Sequence, residues 1–419
     1  MPDRLSTALT FALLGAALSG ASAVAQTPVV RAPPTQVEQI VIGQKVTVTS
    51  KILGEDRPVW IHLPDDYNRE PGRYPVIYKL DGEDNFTEFV GIVTRLARAQ
   101  RMPDAIIIAV PNTKDRTHDL TPDAASDSFR TAYQEGSPEI NTRYYATRGG
   151  ANKFRAFLTQ ELAPWVERHY RTEPYRVLFG HSFGGLFVLD AISREPQSFT
   201  AYVATSPSLW WDNGRYLQTI QEGLARGPLT SKSLYITTGG RELVDAMIKP
   251  PQALAAYLQR SPPAGLRWSF RVMPGEVHST NPHRSQYDAL EWLFEGFEIN
   301  DSAIVALSVR NDSMPLVRHF AGLSKQLGYT VPYPVSMLNG RAHFYLTSKK
   351  PEQAMRLFRF NVAHAPESPT AHGGLADGLE AVGQKEGAIE AATKALQLAT
   401  AAKDSSAAKY QAQIARLKK

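Results

Sequence analysis

The sequence predicts an α/β fold built on a mostly parallel sheet, followed after about residue 300 by a small all-helical region. Three observations carry this reading. Strand-like segments alternate with stretches of helical spacing as far as about residue 297. Two of those segments, YPVIYKL at 74–80 and DAIIIAV at 104–110, are apolar on nearly every position, as strands covered on both faces are. Beyond residue 300 no strand-like stretch stands out and helical spacing dominates.

The elements follow in chain order. Arg4, the apolar stretch 5–18 and Ala23-Val24-Ala25 have the pattern of a secretory leader over 1–25, cleaved after Ala25. The expected destination is the periplasm or the exterior. A chain without cysteine has no thiols to oxidise there, and also no disulfide, thiolate metal site or cysteine nucleophile. No later apolar run nears the roughly 18 residues of a membrane span. Residues 26–39, rich in Pro and Thr, form a lead-in. Alternating strands are expected at 40–49 and 59–63, before the turn Pro64-Asp65-Asp66. Strands at 74–80 and 104–110 come next, then a helix over 154–170 placing Phe157, Leu158, Leu162, Trp165 and Val166 on one face. A strand at 175–179, a helix at 183–194, strands at 202–205 and 234–237, a helix at 251–260, a strand at 269–273 and a closing helix at 286–297 complete a catalytic region of 40–300.

Past it, 301–334 is a helical connector. Within 335–400 the sequence repeats at about 34 residues: PEQA at 351–354 matches KEGA at 385–388, Gly340 matches Gly374, and Ala342 matches Ala376. Tyr345, Ala354, Phe358 and Pro366 fall on the positions of a tetratricopeptide unit. Two units are fewer than a solenoid needs, so they should dock on the catalytic region, on 302–329 or on a second subunit. A basic helix, 401–419, ends the chain. Of the 46 Lys and Arg and 41 Asp and Glu, 15 and 9 lie in 301–419, so the helical region carries +6 and the rest of the chain −1. It forms no clustered stripe, and no nucleic-acid partner is expected.

The chemistry centres on YRVLFGHSFGG at 175–185. Gly180-His181-Ser182-Phe183-Gly184 is G-x-S-x-G between a strand and a helix, the context of a nucleophile elbow and so of an α/β-hydrolase fold. Side chains at Gly180 and Gly184 should collide with the neighbouring strand and helix. Ser182 then sits at a helix N-terminus whose dipole favours a developing oxyanion. Serine needs a base and the base an orienting carboxylate, in the order Ser, acid, His. His278 lies in the loop after the last strand, where the base belongs, and His283 just before the closing helix. Glu242, at the end of the 234–237 strand, is the expected acid, with Asp245 and Asp212 as the other positions. The oxyanion hole should use the amides of Phe183 and of Glu83, the latter in the loop Asp81-Gly82-Glu83, where Gly82 permits close backbone approach. Asp81 could fix that loop or touch substrate. Arg116, His118 and Asp119 lie at a strand's C-terminal end, the face where such sheets bind ligands, with binding and packing both open. Of Trp210 and Trp211, one should wall the acyl or aryl pocket and the other join the core. No metal-ligand cluster, phosphate loop or dinucleotide fingerprint is present, and no metal or cofactor is expected.

The segments KILGEDRPVWIHLPDDY, YPVIYKLDGEDNF, VPNTKDRTHDLTP, GHSFGGLFVLDA, SPSLWWDN and GGRE together resemble the putative esterase family, over about 41–297. That family includes esterase D, the enterochelin and salmochelin esterases and the mycolyltransferases. The resemblance implies a serine esterase on a small-molecule ester, with Glu242 in the acid-bearing GGRE loop and Glu83 as oxyanion donor. An acyltransferase would use the same triad, and a binding protein would use the repeats beside a vestigial hydrolase.

Overall fold

The computed structural model describes residues 39–113, 115–124 and 146–419. The expected leader and nearly all of the lead-in lie outside the described residues. Residues from Ile42 to Lys419 form one compact unit. Among the described residues no helix is long and apolar enough to cross a membrane.

Eight strands form one sheet: β1 (Gln44–Ser50), β2 (Glu55–His62), β3 (Tyr74–Leu80), β4 (Ile106–Val110), β5 (Thr172–His181), β6 (Ala201–Thr205), β7 (Lys232–Gly239) and β8 (Leu266–Met273). Their order is β1-β2-β4-β3-β5-β6-β7-β8. The pairs β1–β2 and β2–β4 are antiparallel and all others parallel. The chain winds to one side of β3 through β4 and to the other through β5. The crevice at that switch, outside the strands' C-terminal ends, is where such sheets hold ligands.

Helices cover both faces. They are α1 (Gly82–Arg98), α2 (Arg116–Leu120), α3, α4 (Phe183–Arg194), α5 (Tyr216–Leu224), α6 (Lys249–Arg260) and α7 (Asn281–Leu293). Helix α3 runs through Ala151–Ala156, a π-helical turn at Phe157–Leu162, and Ala163–His169. The π turn ends two residues before Pro164, whose ring nitrogen cannot donate an α-helical bond. The closing helix starts five residues earlier than its apolar spacing suggests, at Asn281, so His283 lies inside it. Helices α1, α2 and α5 were not among the expected elements, and Arg116, His118 and Asp119 lie in the short helix α2 rather than in a loop.

After Asn300 the chain is helical throughout: α8 (Asp301–Arg310), α9 (Met314–Leu327), α10 (Val335–Thr347), α11 (Pro351–His364), α12 (Pro369–Ala381), α13 (Lys385–Ala401) and α14 (Ala407–Leu417). Helices α10 and α12 begin 34 residues apart, as do α11 and α13. The helices dock on one face of the sheet. A single apolar cluster runs from Ile77, Val177 and Phe179 through Leu290, Leu293 and Phe297 into Ile304, Phe320, Leu327, Leu338 and Phe358. Tyr175 on β5 meets both Phe294 and Tyr329, with ring centroids 5.6 and 6.3 Å away.

Candidate active site

The register of the parallel strands lines up the loops that carry the site. His181 pairs with Thr205, Thr205 with Thr237, and Gly239 with Met273. The residues just past those points, Ser182, Ser206, Glu242 and His278, therefore gather at one edge of the sheet.

Ser182 joins β5 to α4 with φ 60° and ψ −115°, a region a non-glycine residue occupies only under constraint. The constraint is visible: its N–H donates to Thr205 O at 3.0 Å, and its carbonyl accepts from the amides of Leu186 and Ser208 at 3.0 and 3.1 Å. A Cβ on Gly180 would lie 2.1 Å from Gly184 O, and one on Gly185 would lie 2.9 Å from Pro207 Cα. At Gly184 the nearest atom would be Asp81 Oδ2 at 3.1 Å, so the tight positions are Gly180 and Gly185 rather than the motif's two glycines. Phe183, buried, opens α4. Ser182 Oγ is 3.3 Å from Ser208 Oγ.

His278 sits in the loop between β8 and α7, half-buried, with Nδ1 3.1 Å from Glu242 Oε2. The Glu242 side chain has no exposed surface. Its Oε1 accepts from Ser206 Oγ at 2.6 Å and from the Gly239 amide at 3.3 Å. Burial works to raise the Glu242 pKa, but the bonds from His278 and Ser206 outweigh it and hold the carboxyl below its ordinary range. His181 lies beside His278, ring centroids 4.6 Å apart, and its Nε2 donates to the His278 carbonyl at 3.0 Å. Burial first, and the neighbouring His278 second, push the His181 pKa down to about 3, so it stays a neutral donor. The other candidates point elsewhere. Asp245 is exposed and pairs with Lys249. Asp212 is buried in the 3₁₀ turn Trp211–Gly214. His283 is exposed and bonds Glu88 of α1 at 2.9 Å.

Asp81, buried at the end of β3, is gripped by Arg116: Nε to Oδ1 at 2.6 Å and Nη2 to Oδ2 at 2.9 Å. Asn112 Nδ2 adds a third bond at 2.8 Å. Arg116 also donates to the His181 carbonyl at 3.2 Å and lies over the Phe183 ring at 5.6 Å. The pair thus ties the loop after β3 to the elbow, a positioning arrangement for both residues. Glu83 stands in the first turn of α1, and its carboxylate accepts from the Asn112 amide at 3.0 Å. Gly82 abuts β4, where a Cβ would lie 2.8 Å from Val110 N. Asp119, buried, pairs with the buried Arg57 at 2.7 Å, while His118, exposed, donates from Nδ1 to Thr147 O at 2.7 Å. Trp211 is fully buried with Nε1 on Pro122 O at 3.2 Å. Trp210 is partly exposed, its ring 5.6 Å from Phe183.

The sequence reading did not single out Ser206, Ser208, Asn281 or Asn112. The first two lie in the SPSLWWDN segment, where the tryptophans draw attention first.

The arrangement holds a histidine against a buried carboxylate, with its ring centroid 4.6 Å from that of His181, the residue preceding a serine at the start of a helix. A family model described as "Putative esterase" matches residues 50–293. The chain is 35% identical to ferri-bacillibactin esterase BesA of Bacillus subtilis over 222 residues, which are 50% of this chain and 74% of that one. It is 32% identical to apo-salmochelin esterase of Escherichia coli over 36% of this chain and 46% of the other. Among solved structures, an IroE-like serine hydrolase from Shewanella oneidensis is similar at 28% identity and TM-score 0.65, covering 75% of this chain and 97% of that one. An uncharacterised protein from Capnocytophaga ochracea, 16% identical with TM-score 0.55, shares the fold over 90% of this chain and 99% of its own.

Proposed function

The chain belongs to the putative esterase family, and from that premise we propose that it is a serine esterase acting on a small-molecule ester of the siderophore kind. The observation that carries the chemistry is the His278–Glu242 bond of 3.1 Å beside a strained Ser182. Ser182 Oγ swings from Ser208 toward the substrate and attacks the ester carbonyl, while His278 Nε2 takes its proton. The oxyanion is held by the Phe183 amide and by the amide of Glu83. The protonated His278, stabilised by Glu242, passes its proton to the leaving alcohol. Water then attacks the acyl carbonyl while His278 takes its proton. As the intermediate collapses the bond to Ser182 Oγ breaks, His278 returns the proton to Ser182, and the carboxylic acid leaves. The substrate class rests on the relatives named for bacillibactin and salmochelin esters. Partly exposed Trp210 supplies an aromatic wall beside Phe183. The leader pattern at 1–25 of the sequence supports export to the periplasm or the exterior. The 34-residue spacing of the helix pairs supports two tetratricopeptide-like units that engage a protein partner or a second copy.

The test uses the full chain with p-nitrophenyl esters, feruloyl esters and ferric siderophores, with and without an added alcohol acceptor to separate hydrolysis from acyl transfer. Ser182→Ala should lower kcat by roughly 10⁴-fold or more with folding intact, and a fluorophosphonate should label Ser182 alone. An alanine variant that kept above about a tenth of the wild-type rate would remove Ser182 from the nucleophile role.

A further inference from the structure

We propose that Ser206 and Asn281 are positioning residues that fix the direction of every proton behind the site, so that Glu242 can only accept and His278 carries its hydrogen on Nδ1. The inference rests on the triad reading above and extends it to residues outside the triad.

Four side chains lie directly behind Glu242, all buried: Ser206, Thr237, Asn281 and Ser285. They come from the ends of β6 and β7 and from the first two turns of α7. Ser285 Oγ is 2.8 Å from Asn281 Oδ1, and Thr237 Oγ1 is 2.8 Å from Ser285 Oγ. Asn281 Nδ2 is 2.8 Å from Ser206 Oγ and 3.3 Å from Thr237 Oγ1. Ser206 Oγ is 2.6 Å from Glu242 Oε1.

With the Asn281 amide in this orientation the donor inventory leaves one solution. The amide oxygen of Asn281 has no hydrogen, so Ser285 must donate to it. Ser285 has then spent its only hydrogen and accepts from Thr237. Thr237 in turn accepts from one hydrogen of Asn281 Nδ2, which closes a ring. The other Nδ2 hydrogen goes to Ser206 Oγ, leaving the Ser206 hydrogen no better target than Glu242. Glu242 Oε1 therefore receives O–H from Ser206 and N–H from Gly239, with its remaining oxygen facing His278 Nδ1. A carboxylate so supplied has no use for a proton of its own, and the bond at 3.1 Å requires the hydrogen on His278 Nδ1. Its Nε2 lone pair is then free to act as base. The same asparagine opens α7, and its backbone amide donates to Val277 O at 2.9 Å in the His278 loop. One residue thus orders the acid's loop and the base's loop together. Buried networks of this kind are worth more than their separate bonds, because a half-satisfied one is costly.

The experiment compares wild type, Ser206→Ala, Asn281→Asp and the double variant, all as the full chain. Kinetics on a p-nitrophenyl ester are paired with ¹⁵N-histidine NMR, His278 being assigned by loss of its signal in His278→Gln. Asn281→Asp keeps the shape and removes both donors, so the Ser206 hydrogen is drawn to the new carboxylate. Each single change should lower kcat about 10- to 100-fold, the range for one hydrogen bond to a charged group, with KM within about threefold. The double variant should be little worse than the poorer single one, since both remove the same donor from Glu242. Wild-type His278 should show a protonated Nδ1 and a bare Nε2, and Asn281→Asp should shift that balance. Wild-type kcat in Ser206→Ala, losses that multiply in the double variant, or an Nε2–H tautomer in wild type would each overturn the inference. If Asn281→Asp does not fold, Ser206→Ala, which deletes one atom, decides by kcat and spectrum. If wild type has no activity that depends on Ser182, the esterase reading falls, while the NMR tautomer still tests the proton order.

Discussion

At the scale of single residues, the environment of each carboxylate separates Glu242 from its rivals. Glu242→Gln keeps the volume but puts an amide where an acceptor is needed, and it removes the charge that balances an imidazolium. Its kcat should fall by roughly 10³- to 10⁴-fold, as when an orienting carboxylate becomes an amide. Asp245→Asn, at an exposed ion pair with Lys249, should leave kcat within about twofold. Comparable losses in the two variants would move the acid away from Glu242. His278→Ala should match Ser182→Ala, and the two losses should not multiply, since each alone stops the same step. The residues proposed for the chemistry could be picked from the sequence: G-x-S-x-G between strand and helix points to Ser182, and strand order to Glu242 and His278, which the structure brings within 3.1 Å of each other. Ser206 and Asn281 could not, because their importance depends on three loops meeting behind the carboxylate, and 75 residues separate the two in sequence.

At the scale of elements, buried strands were the most legible. The expected bounds of β3 and α4 agree with the structure, because continuous apolar runs with sharp polar ends leave little freedom. Helix α1 was passed over although Phe86, Phe89, Val90, Val93 and Leu96 carry its spacing. Its first turn, Gly82-Glu83-Asp84-Asn85, has the composition of a loop, and Asn85 departs from helical geometry at φ −147°. The helical region offers a separate test. His343 on α10 bonds Asp377 on α12 at 2.9 Å, and that bond raises its pKa above the ordinary histidine value. A raised folded pKa means the charged pair stabilises fully below the unfolded value of about 6.5 and loses its effect as pH climbs through the folded one. His343→Gln should therefore lower Tm more at pH 6 than at pH 9, with high salt reducing the difference because both side chains are partly exposed. A deficit equal at both pH values would assign the pair no electrostatic part.

At the scale of the molecule, the apolar cluster shared by the sheet and the later helices sets what can be removed. Phe320, Leu323, Leu327, Leu338 and Phe358 are buried in the same cluster as Leu290 and Phe294. Cutting after Asn300 strips that cover from α7 and from one face of the sheet, although the residues proposed for the chemistry all precede the cut. The shortened chain should melt well below the full one and tend to aggregate, while any folded fraction should keep turnover on small esters. A shortened chain that is folded, monodisperse and inactive would show that the helices complete the site. The sheet's direction has a practical side as well. The proposed catalytic residues follow the C-terminal ends of the strands, whereas Tyr329 and Val331 share a cleft of about 300 Å³ with Tyr74 and Pro75 at the start of β3. Lys409 and Tyr410 of α14 share another with Asp66 and Glu70, just ahead of that strand. A bead, electrode or dye coupled through α14 would thus hold the molecule by its heel, with the catalytic mouth turned toward the solution.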